Sequence, residues 1–234
     1  MTIRFEPYHP EDTEVFVGSA AEEWTDMHAG ETGIVMGSGE SLKYIPRELL
    51  YKYPTFGVNH IRLLPFQPMY FCSIDEYYLL HYAREMHDSA ANAELAFLSE
   101  LMLAAPGIGL TELYRLENAR FFGENTIRFP GEYCMSGENV PYVVFKIAYV
   151  MGFTTILLVG CDRDKEWKYF SDDYPAEHLE FRSALDFEIK KLGMDYHFKL
   201  AADIYKKNGG RIINLSFPSV LDDFLERGTI EDYI

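Results

Sequence analysis

The chain has 234 residues, of which 48 % are hydrophobic and 15 % aromatic, so it has the mass and the apolar content of one folded α/β domain rather than of a disordered chain. Twenty-one basic residues face 37 acidic ones, a net charge of −16, which excludes a broad nucleic-acid interface because phosphate contacts need a cationic face. No apolar run reaches the roughly eighteen residues that span a bilayer.

The start, Met1-Thr2-Ile3-Arg4-Phe5-Glu6, lacks a signal-peptide layout, and Cys72, Cys134 and Cys161 stand far apart beside apolar residues. Both features predict a cytoplasmic protein with buried, reduced thiols. Tyrosine and phenylalanine number seventeen each. They supply core mass, and the tyrosines leave a homo-oligomer open.

Residues 1–32 read as an N-terminal extension, with a short helix over Ala20 to His28. The run Ile34 to Gly37 reads as a strand that turns at Gly37-Ser38-Gly39 into a helical segment from Ser41 to Tyr51. Two glycines one residue apart at a strand end let backbone N–H groups approach an anion, and a following helix N-terminus favours negative charge. No Walker lysine follows, and Leu42 stands where a dinucleotide fingerprint needs its third glycine. A tight turn without a ligand is the competing reading.

Further strands are expected at Thr55 to Asn59 and Met69 to Ile74, the latter ending at Asp75 before a helix over Glu76 to Met86. Residues 92–104 fit strand and helix equally. A short strand over Thr126 to Phe129 precedes a loop from Gly131 to Gly137 and an apolar helix from Val140 to Met151, closed by Gly152. Thr154 to Val159 is β-branched without alternation, hence a strand buried on both faces, and ends at Gly160-Cys161-Asp162. Two helices, His178 to Leu192 and Tyr196 to Asn208, a strand from Arg211 to Leu215 and a short helix from Ser219 to Arg227 complete the chain. Alternating strands and helices predict a Rossmann-like, doubly wound, mostly parallel sheet in one nucleotide-binding domain over 1–234, with 163–192 as a loop and helical lid. Ligands in such folds bind where the strand order reverses, beyond the strands' C-terminal ends. That singles out Ser38, Gly39, Asn59, Asp75, Ser136, Asp162 and Asn214.

The ordered set Val35-Met36-Gly37-Ser38-Gly39-Glu40-Ser41-Leu42, Phe56-Gly57-Val58-Asn59, Ser136-Gly137, Val159-Gly160-Cys161-Asp162 and Asn214-Leu215-Ser216-Phe217-Pro218 resembles a superfamily. Its members include the bacterial sialyltransferases of glycosyltransferase family 42 and the related DUF115 proteins, among them motility accessory factors and MptE-like hydroxymethylpterin diphosphokinases. The resemblance implies a metal-independent site for CMP linked to a sugar. In it Gly37, Gly39 and Ser41 border phosphate and ribose, and Asn59 bonds the nucleotide. Ser136 and Gly137 stand near the phosphate or donor sugar, and Asp162 edges the cytidine pocket. Ser38 replaces an asparagine of the sialyltransferases, Tyr133 an arginine, and Arg163-Asp164 an aromatic pair, which leaves base and sugar specificity open.

Sugar transfer from a nucleotide needs a base for the acceptor hydroxyl and stabilisation of the leaving phosphate. His178 is the base candidate, with His60 second; Tyr169 and Arg163 are the leaving-group candidates. Against these stand ordinary surface placement for His178, packing for His60 and a helix cap for Asp162. The expected partners are a nucleotide or nucleotide-sugar and a glycan acceptor, with neither cofactor nor metal. Two alternatives stand beside this: a diphosphokinase acting on a hydroxymethylpterin with Mg²⁺ on Asp75 and Asp162, and an accessory protein that binds nucleotide or glycan without catalysis.

Overall fold

The computed structural model describes residues 14–100, 113, 115–123, 126–130, 139–162, 168–174 and 184–234, with backbone alone for 76, 77 and 184–192. The central strand β2 (Thr32–Met36) pairs in parallel with β3 (Thr55–Val58) on one side and β8 (Thr155–Val159) on the other. Beyond β3 lie β4 (Tyr70–Ser73), β5 (Leu95–Ser99) and β6 (Ala119–Phe122); beyond β8 lie β9 (Arg211–Asn214) and β10 (Glu226–Arg227). The order is β10-β9-β8-β2-β3-β4-β5-β6, and every pairing in it is parallel. The chain winds outward from β2 to β6, then returns to the opposite flank of β2. The strand order therefore reverses between β2 and β8.

Both faces of this sheet are covered, as a parallel sheet requires. Val35, Phe56, Tyr70, Cys72 and Phe97 pack under α3 (Val140–Val150) and α4 (Ala184–Lys207). Ile34, Met36, Phe71, Leu98 and Leu157 pack under the opposite layer, built from the 3-10 turn Glu40–Tyr44, α1 (Arg47–Lys52) and α2 (Glu76–Ala91). Ile34 and Met36 go one way and Val35 the other, the two-residue alternation of a strand. Helix α3 is buried around almost its whole girth because α4 closes over it, with the Tyr205 hydroxyl donating to the Phe145 carbonyl at 3.0 Å. Asn139 caps its first turn by accepting from Tyr142 N at 2.9 Å. Among the described residues no helix is long and apolar enough to cross a membrane.

Several elements differ from the sequence reading. Within the ambiguous stretch 92–104, Leu95–Ser99 forms strand β5, and α4 runs unbroken through residues 193–195, where two helices are expected from sequence. The helix expected over Ser219 to Arg227 is a 3-10 turn, Val220–Asp223, followed by β10, whose Glu226 registers with Ile213. The strand near Thr126 is β7 (Ile127–Arg128), outside the main sheet and antiparallel to β1 (Phe16–Val17).

At the strands' N-terminal edge His28 stacks on Phe153, with ring centroids 4.4 Å apart. Its Nδ1 lies 2.8 Å from the Glu31 carboxylate and its Nε2 2.5 Å from the Tyr70 hydroxyl. Burial, reinforced by Glu94 and Glu31, pushes the Tyr70 hydroxyl up to about 12. A raised value means that the folded state holds this proton more tightly than the unfolded chain. Its stabilisation is therefore complete below the unfolded value of about 10 and lost as pH rises towards 12. In a spectrophotometric titration, Tyr70→Phe should remove one late-titrating phenol and flatten the stability loss across that window.

Gly193, inside α4, has open space where a Cβ would stand. Gly193→Ala should raise stability to urea by about 1 kcal/mol through helix propensity.

Candidate nucleotide site at the strand-order reversal

Pairing of β2 with β8 continues past both strand ends. Gly37 N donates to the Val159 carbonyl at 2.8 Å and Gly39 N to the Gly160 carbonyl at 2.6 Å. A Cβ on Gly37 would lie 2.4 Å from Gly160 O and 2.5 Å from Cys161 Sγ; one on Gly39 would lie 2.7 Å from Asp162 Oδ2. Gly160 has φ +66, a conformation that glycine adopts without strain. Close approach of two strand ends therefore requires these glycines, whatever binds beside them.

Asp162 is 3 % exposed and accepts twice from Ser41: from the backbone N–H at 2.7 Å on Oδ2 and from the hydroxyl on Oδ1. It satisfies the start of the 3-10 turn from across the sheet, the task of an N-cap residue performed from another element. Glu40 N donates to Lys168 O at 3.1 Å. The amides of Gly37, Gly39, Glu40 and Ser41 are thus spent inside the protein. The cradle of backbone N–H groups expected from the glycine motif is taken up by β8 and its following loop. The Ser41 hydroxyl bonds Asp162, and Ser38 is left at the apex of the turn.

The segment after β8 folds back over this apex. Gly39 and Tyr169 form an antiparallel bridge, and Phe170 N donates to the Ser38 carbonyl at 3.1 Å. Phe170 is buried in the core, which anchors the early part of the expected lid. The Tyr169 and Tyr174 rings stack face to face, 3.7 Å apart and 1° from parallel. The Tyr174 hydroxyl lies 3.5 Å from Ser38 Oγ. Burial raises the Tyr174 pKa, and Tyr169, Asp75 and Tyr78 push it the same way against a lowering by Ser38. Its hydroxyl therefore keeps its proton and remains a donor. Tyr174 has no sequence signal of its own, since only the folded-back loop brings it to Ser38.

The ends of β3 and β4 extend the same edge. Asn59 holds a left-handed backbone, φ +47, and its Oδ1 accepts from the Ser73 hydroxyl at 2.9 Å. Asp75 caps α2 by accepting from Tyr78 N at 3.2 Å. His60 is 1 % exposed and sits among the rings of Tyr78, Tyr82 and Tyr174, with centroids 4.3, 4.8 and 4.8 Å away. Its Nδ1 lies 3.8 Å from Glu85, which also pairs with Arg62. This is the packing alternative for His60, whose ring is wedged against Tyr174.

On the other flank, Asn214 donates to Asp222 at 2.7 Å and accepts from Ser216 N at 3.0 Å, so it serves the fold. Asp75 and Asp162 follow strands separated by β2 and β3, three strand spacings or about 14 Å, and each carboxylate already accepts from a backbone N–H. Among the described residues no group of three His, Cys, Asp or Glu side chains could hold a metal. Arg163, His178, Ser136 and Gly137 lie outside the described residues.

No protein-family model matches the chain, and a search of curated proteins finds no significant match. Solved structures do match. The sialyltransferase CstII from Campylobacter jejuni, in complex with the substrate analogue cytidine-5'-monophosphate, aligns with a TM-score of 0.55 at 16 % identity over 86 % of both chains. The monofunctional α-2,3-sialyltransferase Cst-I from the same organism gives 0.56 at 18 % identity, over 86 % of this chain and 81 % of its own. A CST-II complex with a trisaccharide acceptor and CMP gives 0.52 at 18 % identity, over 84 % and 86 %. The chain has a sialyltransferase-like α/β fold.

Two substitutions test this reading of the site. Gly37→Ala should destabilise by about 1–3 kcal/mol in urea unfolding, because its Cβ meets backbone that cannot give way. Asp162→Ala should cost a similar amount, about 1–3 kcal/mol, by stranding two buried donors of Ser41.

Proposed function

We propose that this protein is a glycosyltransferase of the sialyltransferase-like type, transferring a sugar from a nucleotide donor to a glycan acceptor in the synthesis of a surface glycan or lipopolysaccharide. One observation carries the reading: the tyrosine pair and Ser38 meet at the reversal point of the sheet, on a fold shared with structures solved around CMP. In this reading the leaving phosphate sits against the Ser38, Tyr169 and Tyr174 hydroxyls. The donor sugar extends over Asn59, Ser73 and Asp75 at the ends of β3 and β4.

The chemistry follows from charge. As the bond from sugar to phosphate breaks, negative charge grows on the phosphate oxygen, and neutral hydroxyl donors fixed in place stabilise it without reorganising. Arg163 adds a positive charge to the same oxygens, and Ser136 and Gly137 complete the phosphate side. The acceptor hydroxyl attacks the anomeric carbon while His178 takes its proton as general base. The reaction so written runs without a metal ion.

Thermal unfolding with CMP, UDP, GDP and ATP, each with and without Mg²⁺, tests the assignment. CMP should raise the melting temperature without Mg²⁺, a shift worth about 2.7 kcal/mol at a hundredfold excess over Kd. Tyr174→Phe keeps the ring stack and removes the donor, so its CMP affinity should fall about five- to tenfold. Stabilisation only by ATP with Mg²⁺ would favour pyrophosphate transfer and contradict the proposal. No shift with any nucleotide would contradict it too.

A further inference from the structure

Past the end of β9 the segment Leu215-Ser216-Phe217-Pro218-Ser219 continues along the strand-end edge that carries the glycine turn. Leu215 N donates to Leu158 O at 2.8 Å. The Ser216 hydroxyl accepts from Cys161 N at 2.9 Å, and the Ser219 hydroxyl donates to the Cys161 carbonyl at 3.3 Å. Both polar groups of Cys161 are therefore held by this segment, while its thiol lies against Gly37. Arg227 donates to the Ser216 carbonyl and pairs with Asp222 at 3.5 Å; Asp222 in turn accepts from Asn214.

In the middle of this hydrogen-bonded support Phe217 is 70 % exposed. The Arg227 guanidinium carbon lies 5.4 Å from its ring centroid, which fixes the ring from one side and leaves most of it in solvent. A lone exposed apolar side chain is ordinary on a protein surface. Phe217 is set apart by its footing, tied into the turn that faces Gly37, and by its place. It follows β9, and Ser38 follows β2, with β8 between them. Two strand spacings are about 10 Å, comparable to the length of a nucleoside monophosphate from phosphate to base.

We propose that Phe217 is the stacking platform for the nucleobase of the donor; the inference rests on reading the glycine-turn edge as the nucleotide site. With the phosphate at Ser38, the ribose crosses the Cys161–Asp162 turn and the base lies on the Phe217 ring. A phenyl ring offers a flat π-face and no hydrogen bond, so it supplies affinity for a base without selecting which one. The donor axis then runs along the sheet edge, with base at β9, phosphate at β2 and sugar at β3 and β4.

Calorimetric titration of CMP and of ribose 5-phosphate into the wild type, Phe217→Ala, Phe217→Leu and Phe217→Trp tests the platform. Phe217→Ala and Phe217→Leu should each lose about tenfold in CMP affinity, while ribose 5-phosphate binding stays as in the wild type. Phe217→Trp should retain CMP, and all three should melt with the wild type because the ring is exposed. Wild-type CMP affinity in Phe217→Ala, or an equal loss of both ligands, overturns the platform and leaves the nucleotide site standing. A wild type that binds neither ligand overturns both.

Discussion

Two parallel strands, β2 and β8, stay paired beyond their last residues, and at Gly37, Gly39 and Gly160 there is no space for a Cβ between them. The rest of the sheet edge depends on this approach. Because the strand ends touch, Asp162 reaches across to Ser41 and fixes the chain's exit from β2. With that exit fixed, the Ser38 carbonyl is available to the returning loop, and Phe170 follows into the core. The loop's anchorage then lays Tyr169 and Tyr174 over the turn. Each contact presupposes the one before it, so a single methyl at Gly37 would disturb the whole edge.

The same constraint decides how an anion could be held. A protein with a net charge of −16 repels phosphate at long range, so any phosphate must be met by groups at contact distance. Glycine-rich turns commonly provide these as backbone amides. Here four of those amides are consumed by the strand pairing, the returning loop and Asp162. The side chains gathered at the turn, Ser38, Tyr169 and Tyr174, carry hydroxyls, a donor type that adds no charge. Burial holds Tyr174 in its protonated form, the state that can donate.

Much of the architecture was legible because a buried parallel strand writes itself plainly. Thr155 to Val159 is a β-branched and aliphatic run closed by glycine, and the helix from Val140 has a cap at one end and Gly152 at the other. The resemblance to sialyltransferases pointed to the fold that the solved structures share. The marginal strands were not legible. Ala119–Phe122 lies at the sheet edge with Arg120 turned to Glu23, and Glu226–Arg227 is two residues long, so neither has a buried pattern to read. Along the strand-end edge, Ser38, Gly39, Asn59, Asp75 and Asp162 were singled out from their positions after strands. The use of Asp162 and of the glycine amides was hidden, because it depends on which strand lies beside β2. The approach of Tyr174 to Ser38 was hidden for the related reason that a loop's return path is a tertiary fact.

The central claim is that a nucleotide binds at the β2–β8 reversal. The most direct test is to follow backbone amide resonances of the isotopically labelled protein as CMP is added. The account predicts that Ser38, Cys161, Asp162, Tyr169 and Tyr174 shift together and saturate with one dissociation constant. Shifts confined to the opposite edge, around His28 and Tyr70, or no saturable shift in the β2–β8 turn, would contradict it.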